Sequence, residues 1–431
     1  MQKAIASEFS ILNSEFLIAM SKIIILGGGV IGVCVAYYLA QQGAQVTLIE
    51  KGEIAAGCSY GNAGWVVPSH STPLATPDAV KNGLKWMFDP VSPFYIKPRL
   101  DFDLLRWLLM FAQAANRTQI SKAIPILRDL NMASRYLFDG LSTQAGMSID
   151  YHQQGILMLF RTVAGFEGGK HEAHELHAFD QRAYVLSQAQ TRQMEPMVHP
   201  DVVGSVHFPD DAHLDPAIFV RQMAEQARLL GADVKTHITV TGLNIEAGKV
   251  IGVETSTGPI QAEQIVVALG SWAPQLAQQL QINIPVQAGK GYSITVKRPQ
   301  RCPGIPLGFG EARVVTSTLS LTLRLAGTME LSGIDLGINQ ARVQAILAAP
   351  KRYLQDLGPL EIIETWAGLR PCAPDGLPII GRTKTHPNVI LATGHAMMGL
   401  SLGPITGKLI AQIACNSMPE IDISMLSPDR F

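Results

Sequence analysis

Apolar and polar positions along the chain follow two periods, and the change between them outlines the first structural unit. The residues from Ile23 to Leu26 form a continuous apolar run, typical of a parallel strand that is buried on both faces. The apolar segment from Val30 to Gln41 is long enough for a helix, and Gly43 is placed to end it. A second strand is predicted from Ala44 to Ile49. The pattern therefore predicts a strand-helix-strand unit near the start of the chain.

The turn between the first strand and the helix has three glycines in the spacing G-x-G-x-x-G. Gly27 turns the chain, Gly29 lets the backbone approach a pyrophosphate, and Gly32 allows the helix to pack closely on the strand. The amides at the start of the helix would face that phosphate. Glu50, which ends the second strand, can accept hydrogen bonds from a ribose diol and disfavours a 2′-phosphate. These features predict a bound dinucleotide with an unphosphorylated ribose.

The rest of the chain combines the same two periods, which indicates a fold of the α/β class. We predict further helices at 101–116, 216–230, 338–354 and 405–414, and further strands at 232–236, 265–269, 285–296 and 319–326. The strands at 285–296 and 319–326 alternate apolar and polar residues, which is typical of an antiparallel sheet. The helix at 338–354 would cover one face of that sheet.

Composition and charge exclude several classes of protein. Of the 431 residues, 47% are hydrophobic and 16% are charged, which is the balance of a folded globular protein. The formal net charge of -1 provides no basic surface for nucleic acid. The 5 cysteines are never spaced C-x-x-C and support neither a disulfide framework nor a zinc ribbon, so we expect a reducing, cytoplasmic compartment. Glycines interrupt the apolar run from Ile23 to Ala40, which argues against a transmembrane helix.

The first residues of the chain precede the point at which this type of unit usually begins. They contain no small-residue cleavage site and no apolar core of the signal-peptide kind. Met20 stands directly before the sequence SKIIILGGG. We therefore interpret residues 1–20 as an N-terminal extension, an added or misassigned start.

NAD could occupy the same half-site, so the choice of cofactor depends on other parts of the chain. No second G-x-G-x-x-G follows a strand, and no C-x-x-C is present for a disulfide reductase. The loop from Gly57 to Trp65 has small and polar residues that suit a backbone running beside a flavin ring. Together with the earlier glycines and Glu50, the S-x-x-N-A-G sequence of this loop resembles the D-amino-acid dehydrogenase and glycine oxidase group of flavoproteins.

This resemblance implies non-covalent FAD in a Rossmann-type, glutathione-reductase-like domain that is interleaved with an antiparallel-sheet substrate domain. The FAD-binding segments would be 21–82, 202–283 and 368–431, and the substrate-binding segments 83–201 and 284–367. The residues implied to contact FAD are Gly27, Gly29, Val30, Ile31, Gly32, Glu50, Lys51, Cys58, Ser59, Asn62, Ala63, Gly64, Trp65, Val240, Gly270, Trp272, Gly394, His395, Met398, Gly399, Leu400 and Ser401.

The most specific part of the resemblance lies near the C-terminus, in the sequences W-A-G-L-R-P, P-D-G-L-P-I-I-G and G-H. In the amino-acid oxidase and dehydrogenase group the arginine of G-L-R-P binds the substrate carboxylate, and Arg370 has the matching position. A guanidinium can pair with both carboxylate oxygens in one plane, which a lysine cannot do. An arginine in a structural ion pair is the alternative. The helix at 405–414 would direct its first amides at the edge of the flavin, where negative charge develops.

Other side chains are weaker candidates for contact with the substrate. Tyr292, on a predicted strand, could hydrogen-bond the carboxylate and is grouped with Arg370 as catalytic, with a buried structural tyrosine as the alternative. His70 is a candidate substrate contact. Neither His70 nor His395 is expected to act as a base, because hydride removal requires only that the amine be neutral.

One departure from the resembling group bears on the substrate. Glycine oxidases have a second arginine after the G-H pair, where this chain has Ala396, Met397 and Met398. The thioethers favour a bulkier or more apolar substrate than glycine, and Met397 is a candidate contact with it.

We therefore predict an FAD-dependent dehydrogenase that oxidises the Cα–N bond of a D-amino acid or a cyclic imino acid and passes electrons to a quinone or a dye. Alternatives remain open: an oxidase that uses O2, an L-amino-acid dehydrogenase, a 2-hydroxy-acid dehydrogenase that Arg370 would serve equally well, and a non-catalytic flavin subunit. The aromatic stretch from Thr72 to Arg117 leaves peripheral contact with the inner face of a membrane open beside a role in the domain core. His171, His174 and His177 lack an acidic or cysteine partner, so no metal site is predicted. No pattern indicates an oligomeric state.

Overall fold

The structure is a computed structural model that describes residues 21–86 and 92–431. The predicted extension, residues 1–20, lies outside the described residues, as do Met87 and Phe88 of the aromatic stretch. In chain order the helices are α1 (Val30–Gln41), α2 (Pro77–Trp86), α3 (Phe102–Ala114), α4 (Arg117–Thr143), α5 (Val163–His177), α6 (Gln188–Met194), α7 (Pro216–Leu229), α8 (Ala273–Gln279), α9 (Gln340–Ala348), α10 (Pro350–Tyr353) and α11 (Gly403–Ala414). Short 3-10 helices lie at Gly270–Trp272, Ala396–Met398, Ser424–Leu426 and Pro428–Arg430.

The strands of the described residues form two large sheets and two small ones. In chain order they are β1 (Lys22–Leu26), β2 (Gln45–Ile49), β3 (Trp65–Val66), β4 (Phe94–Ile96), β5 (Ile156–Phe160), β6 (Tyr184–Ser187), β7 (Gly204–Phe208), β8 (Ala212–His213), β9 (Asp233–Lys235), β10 (Val240–Glu246), β11 (Lys249–Thr255), β12 (Ile260–Gln261), β13 (Gln264–Val267), β14 (Gln287–Lys297), β15 (Leu307–Phe309), β16 (Val314–Thr318), β17 (Thr322–Leu331), β18 (Ile362–Cys372), β19 (Ile379–Arg382) and β20 (Val389–Thr393). The small sheets are β10-β11-β12 and β3-β8.

The first large sheet contains the predicted strand-helix-strand unit. Its six strands have the order β19-β20-β13-β1-β2-β9, and β1 pairs in parallel with both β2 and β13. α11 crosses α1 closely, because a β-carbon on Gly407 would lie 2.6 Å from the carbonyl carbon of Cys34. A β-carbon on Gly403 would lie 2.8 Å from Cγ2 of Val30, so the first turns of α1 and α11 are adjacent. The α/β fold predicted from the sequence is confirmed, with two helix N-termini directed to one place.

The second large sheet has nine strands in the order β18-β14-β17-β16-β15-β5-β7-β6, with β4 also paired to β17. Most neighbours are antiparallel, as predicted, whereas β5 and β15 are parallel and so are β4 and β17. The strand predicted at 319–326 begins later and continues to Leu331. The helix predicted at 338–354 is divided at Pro350, whose missing amide hydrogen cannot continue the first helix.

The predicted domain boundaries need two corrections. β7 lies in a segment that was assigned to FAD binding, yet it pairs with β5 and β6 in the nine-stranded sheet. β18 spans the boundary that was predicted between residues 367 and 368. Both domain boundaries are set by strand pairing between segments that are far apart in the sequence. The local pattern of apolar and polar residues does not show which strands pair. The remaining boundaries stay predictions.

The two faces of the nine-stranded sheet differ in what they contact. Tyr292, Ile294 and Val296 of β14 point into a hydrophobic core together with residues of α9. Their neighbours on β14 point to the other face, where Gly291 lies opposite Gly368 of β18. That second face carries the side chains of the candidate site. No helix in the described ranges is both long and apolar enough to cross a bilayer.

Candidate active site

The glycines of the first turn are required by close backbone contacts. Gly27 has a φ of 109°, and a β-carbon on it would lie 2.6 Å from the carbonyl oxygen of Ala268. A β-carbon on Gly32 would lie 1.9 Å from the carbonyl oxygen of Gly27. Gly29 precedes α1 and leaves the approach to its first turn open, since a β-carbon there would lie 3.5 Å from Ser59 Oγ. These are the positions that the G-x-G-x-x-G spacing assigns to a dinucleotide cradle.

The first turn of α1 retains donors for an anion. The Val30 amide donates to Ser59 Oγ at 2.9 Å. The amides of Ile31 and Gly32 donate to no group in the part of the chain that the structure describes. Free amides at a helix N-terminus, together with the helix dipole, form a site for a phosphate.

An acidic and aromatic cluster lies at the end of β2, where the ribose and adenine would be held. The two carboxylate oxygens of Glu50 accept hydrogen bonds from the amides of Gly28 at 2.7 Å and Gly52 at 2.9 Å, which fixes the carboxylate. Lys51 Nζ lies 4.6 Å from the ring centroid of Trp272. Val240 begins β10, close behind Ile238, whose amide donates to the Glu50 carbonyl at 3.0 Å. The structure thus brings Glu50, Lys51, Trp272 and Val240 to one region.

The loop from Gly57 to Trp65 is fastened to the second face of the nine-stranded sheet. Arg324, a buried residue of β17, donates to the carbonyls of Tyr60 at 3.0 Å and Asn62 at 2.9 Å. Ser317 of β16 donates to the carbonyl of Ala63 at 2.6 Å and accepts from Trp65 Nε1 at 2.9 Å. The loop also has its own turn, since the amide of Gly64 donates to Asn62 Oδ1 at 2.8 Å.

Sequence reasoning missed Arg324 and Ser317, which position the predicted flavin loop. An arginine within the apolar strand T-L-R-L-A-G was an available signal, because arginine is rarely buried without a partner. The contacts it makes bridge more than 260 positions of sequence, from 324 to 60 and 62. Local patterns could not supply those partners.

Arg370 lies on the same face of the sheet, over a glycine. A β-carbon on Gly291 would lie 2.1 Å from Arg370 Nη1, so only glycine leaves room for the guanidinium. Nη1 donates to the carbonyl of Thr328 at 2.9 Å. Thr328 has a φ of 63° at a bulge in β17, which turns its carbonyl out of the ladder toward Arg370.

The guanidinium has no acidic partner among residues 21–86 and 92–431. Arg370 forms no ion pair with those residues. Desolvation by the surrounding protein lowers the pKa of its guanidinium. The other groups that act on it are the thiols of Cys372 and Cys58. A cation that is partly withdrawn from water without a counter-ion is costly, and a carboxylate ligand would relieve that cost. The alternative of a structural ion pair is therefore wrong for the described residues.

Two side chains fasten the cofactor segments to the backbone beside Arg370. Cys58 Sγ and Ser271 Oγ both donate to the carbonyl of Leu369, the latter at 2.9 Å. Burial raises the pKa of the Cys58 thiol to about 11, so it remains a neutral donor. Gly270, the neighbour of Ser271, accepts a hydrogen bond from Thr393 Oγ1 at 3.0 Å.

The segment from Gly394 to Ser401 connects β20 to α11. Gly394 has a φ of 77° and begins the turn. His395 is buried and its Nε2 lies 3.0 Å from Thr406 Oγ1, while burial lowers its pKa to about 3. The contact with Thr406 links the His395 ring to the second turn of α11. Ser401 Oγ accepts from the Val67 amide at 3.0 Å.

The end of that segment presents backbone donors. The amides of Leu400 and Ser401, which follow Met398 and Gly399, donate to no group among the described residues. They lie beside the start of α11, and free amides at such a position can stabilise negative charge that develops nearby.

The prediction that Tyr292 binds the substrate with Arg370 is wrong. Cross-strand partners share a face, and Gly291, which lies under the Arg370 guanidinium, is the sequence neighbour of Tyr292. Tyr292 therefore points to the opposite face, where it is buried and donates to Glu330 Oε1 at 2.9 Å. Tyr292 is instead a buried structural tyrosine, which was the alternative.

The remaining candidates have accessible side chains. Met397 is 52% exposed, next to Ala396, which packs near Cys372 at the end of β18. The His70 ring is accessible, yet desolvation by the surrounding protein lowers its pKa to about 4. This combination is expected of a side chain that lines an interior cleft. His171, His174 and His177 lie on α5, and the structure shows no metal-binding cluster in the part of the chain it describes.

The glycine turn before α1, its free amides and the fixed acid of β2 define a dinucleotide-binding protein. The sequence profile described as FAD dependent oxidoreductase matches residues 22–413. The chain therefore belongs to this family of FAD-dependent oxidoreductases. The residues present fit FAD, because free helix amides, glycines without room for a side chain and an ordered carboxylate lie where its pyrophosphate and ribose would bind.

Individual relatives resemble the chain over nearly its whole length. It is 34% identical over 422 residues to the D-amino acid dehydrogenase of Bradyrhizobium diazoefficiens, covering 95% of this chain and 99% of that protein. It is 32% identical to the D-amino acid dehydrogenase of Paramagnetospirillum magneticum, with the same two coverages.

Solved structures share the fold. The glycine oxidase of Geobacillus kaustophilus superimposes with a TM-score of 0.78 at 21% identity, over 96% of this chain and 100% of that one. The L-proline dehydrogenase of P. horikoshii superimposes with a TM-score of 0.75 at 20% identity, over 95% and 97% of the two chains.

Proposed function

We propose that this chain is an FAD-dependent dehydrogenase that oxidises the Cα–N bond of a D-amino acid or a cyclic imino acid, with a quinone or a dye as electron acceptor. Water would hydrolyse the imine of a primary amine to a 2-oxo acid and ammonia. Relatives named D-amino acid dehydrogenase, which align over 95% of the chain, support this substrate class.

The observation that carries the proposal is the half-buried, desolvated guanidinium of Arg370, which has no acidic partner among the described residues. Among the described residues only one of its donors is engaged, at the carbonyl of Thr328. The rest of the planar fork is free to pair with both oxygens of a carboxylate. Gly291 beneath it provides the space for that arrangement.

The chain's own residues bind and orient the substrate. Arg370 would hold the carboxylate and thereby set the position of Cα. The amides of Leu400 and Ser401 would stabilise negative charge at the ring edge. FAD, when bound, supplies the acceptor for the hydrogen and electrons of the Cα–H bond. The thioether of Met397 would contact an apolar side chain of the substrate.

The test is anaerobic stopped-flow mixing of the FAD-loaded protein with both enantiomers of alanine and proline and with 2-hydroxy acids. We expect the D-amino acids to bleach the flavin absorbance fastest. Bleaching by 2-hydroxy acids alone would identify a hydroxy-acid dehydrogenase instead, and bleaching by neither class would contradict the proposal. Mixing the reduced protein with a soluble quinone or with O2 then distinguishes a dehydrogenase from an oxidase.

An exposed apolar surface beside the site favours an acceptor that is reached at a membrane. We define this surface by Leu100, Phe102, Leu105 and Leu109, of which the first two are 106% and 90% exposed. The opposite side of α3 packs beside β18, since Trp107 Nε1 donates to the carbonyl of Cys372 at 2.9 Å. Exposed leucine and phenylalanine on one helix face are typical of peripheral membrane contact.

Co-sedimentation with phospholipid vesicles tests this contact. Leu105→Glu with Leu109→Glu should abolish sedimentation while flavin bleaching by amino acids is retained. Leu229→Glu is the matched control, because Leu229 is 71% exposed on α7. Equal sedimentation of the double variant and the control would contradict the contact.

A further inference from the structure

Three polar residues form a continuous hydrogen-bonded chain that ends at the accessible ring of His70. Asp211, a fully buried carboxyl, accepts from the Ser69 amide at 3.0 Å and from Ser69 Oγ at 2.6 Å. Ser69 Oγ lies 3.1 Å from Nδ1 of His70. The hydroxyl thus connects an interior carboxyl to an imidazole, and Nε2 of His70 has no partner within residues 21–86 and 92–431.

The contacts of His70 link it to segments of the candidate active site. Asn131 Nδ2 lies 3.5 Å from the His70 carbonyl and 3.8 Å from Met398 Sδ, in the segment predicted to face the flavin. The ring of Trp65 meets the His70 ring edge-on at 6.2 Å between centroids. Trp65 is in turn bonded to Ser317 on the sheet face that carries Arg370. His70 is therefore connected through Asn131 to the flavin segment and through Trp65 to that face.

Few charged groups surround the three hydrogen-bonded residues, and those that do lie near Asp211. Arg135 of α4 faces Asp211 and lowers the pKa of its carboxyl, while Asp210 raises it. Both act at a distance, since Arg135 is paired with Asp139 and Asp210 is paired with Arg182. The pKa of His70 itself is shifted by desolvation and by no charged group among the described residues.

We infer that His70, Ser69 and Asp211 form a proton relay that removes the ammonium proton of the bound amino acid before its Cα–N bond is oxidised. This inference rests on the proposed function. An α-amino acid arrives with a protonated nitrogen, and only the neutral amine has the lone pair that oxidation to an imine requires.

The relay step balances without an external reactant. The substrate N–H bond breaks and its proton passes to Nε2 of His70, while the Nδ1 proton passes to Ser69 Oγ and the serine hydroxyl proton passes to Asp211 Oδ2. The products are a neutral amine, a neutral imidazole and a protonated Asp211. The proton then rests on Asp211, because burial raises the pKa of Asp211 to about 7, whereas desolvation by the surrounding protein lowers the pKa of His70 to about 4.

The sequence-based expectation that His70 is not a base considered the imidazole alone. Its low pKa supports that expectation for an isolated histidine. The structure adds the buried carboxyl that the imidazole reaches through Ser69. In the relay His70 passes the proton on and does not retain it.

The first experiment follows the anaerobic rate of flavin reduction by D-alanine against pH in the FAD-loaded protein. The wild-type rate should rise through about pH 7 and then level off. We call the rise through about pH 7 the limb of the pH profile. Asp211→Asn and Ser69→Ala should each remove this limb, so that the rate instead rises tenfold per pH unit up to the pKa of the substrate amine. At pH 8 each variant should be about 100-fold slower than wild type, as is typical when general-base catalysis is lost.

Two comparisons separate the relay from a structural role. Asp210→Asn is the matched control, and it should keep the limb and move it slightly to lower pH, since it removes a neighbouring negative charge. The double variant of Ser69 and Asp211 should be no slower than either single variant, because one broken link interrupts the whole relay. A limb near pH 7 that survives in Asp211→Asn or Ser69→Ala would overturn the inference, as would additive losses in the double variant.

Infrared difference spectra of the oxidised, FAD-loaded protein provide a measurement that does not depend on turnover. A carbonyl band of a protonated carboxyl should disappear as the pH rises through about 7, and it should be absent from Asp211→Asn. The absence of such a band would overturn the relay, whether or not amino acids reduce the flavin. If the band titrates but no amino acid bleaches the flavin at any pH, the proposed function fails and the relay, which serves it, fails with it.

Discussion

Replacing Arg370 by lysine separates the shape of the guanidinium from its charge. Lysine keeps a cation at the site but cannot pair with both carboxylate oxygens in one plane. Loss of one charge-assisted hydrogen bond costs about 1.5 to 3 kcal/mol, so we expect kcat/KM for D-alanine to fall about 10- to 150-fold at 1.4 kcal/mol per tenfold. Arg370→Gln leaves the substrate carboxylate without a cation, and the cost of about 3 to 5 kcal/mol for a broken buried pair corresponds to a loss of about 150- to 4,000-fold.

The assay is anaerobic flavin reduction by D-alanine and by D-alaninamide, which lacks the carboxylate. Wild type should prefer D-alanine strongly, and both variants should lose most of that preference while their reaction with the amide changes little. Gly291→Ala is a further control, since its β-carbon would lie 2.1 Å from Nη1 and displace a chemically intact arginine. FAD content is measured in every variant. A preference for the carboxylate that survives in Arg370→Gln would refute the role assigned to Arg370.

Three further predictions concern other parts of the structure. Gly32→Ala should abolish FAD binding, measured by flavin fluorescence, because its β-carbon would lie 1.9 Å from the Gly27 carbonyl oxygen; normal FAD affinity would contradict the cradle. Tyr292→Phe should leave the rate of flavin reduction unchanged and lower the free energy of unfolding by about 1 to 3 kcal/mol, since it removes a hydrogen bond to buried Glu330; a loss of activity at full FAD content would return Tyr292 to the active site. The pKa of Asp211 is raised from 3.8 to about 7 on folding, so its contribution of about 4 kcal/mol is present below pH 4 and is lost as the pH rises through 7. Asp211→Asn should therefore lose less stability between pH 5 and pH 8 than wild type in urea unfolding, and an equal loss would contradict the raised pKa.

The features that could be predicted from the sequence depend on neighbours in sequence. The unit from β1 to β2, including Gly27, Gly32 and Glu50, is encoded within one short segment, so apolar runs and glycine spacing sufficed to predict it. Arg370 could be proposed as a carboxylate-binding residue because the motif that resembles the amino-acid oxidase and dehydrogenase group is contiguous in the sequence. Both predictions concern residue types whose role is determined by local geometry.

The features that were missed depend on pairing between distant segments. Whether Tyr292 or its neighbour Gly291 faces the site is decided by the register of β14 against β18 and by the face that α9 covers. A one-residue difference in that assignment reverses every side chain, so alternation alone cannot choose. The link between Ser69 and Asp211 spans 142 positions and was equally invisible before folding. The same is true of Arg324 and the loop that it holds.

A crystal structure of the FAD-loaded protein with 2-aminoisobutyrate would show where the substrate carboxylate binds, because this amino acid has a carboxylate and an amine but no Cα–H to lose. We expect both carboxylate oxygens at about 2.7 to 2.9 Å from the guanidinium of Arg370, with the amine toward His70. A carboxylate held elsewhere, with Arg370 paired to an acidic residue of the protein, would contradict this expectation.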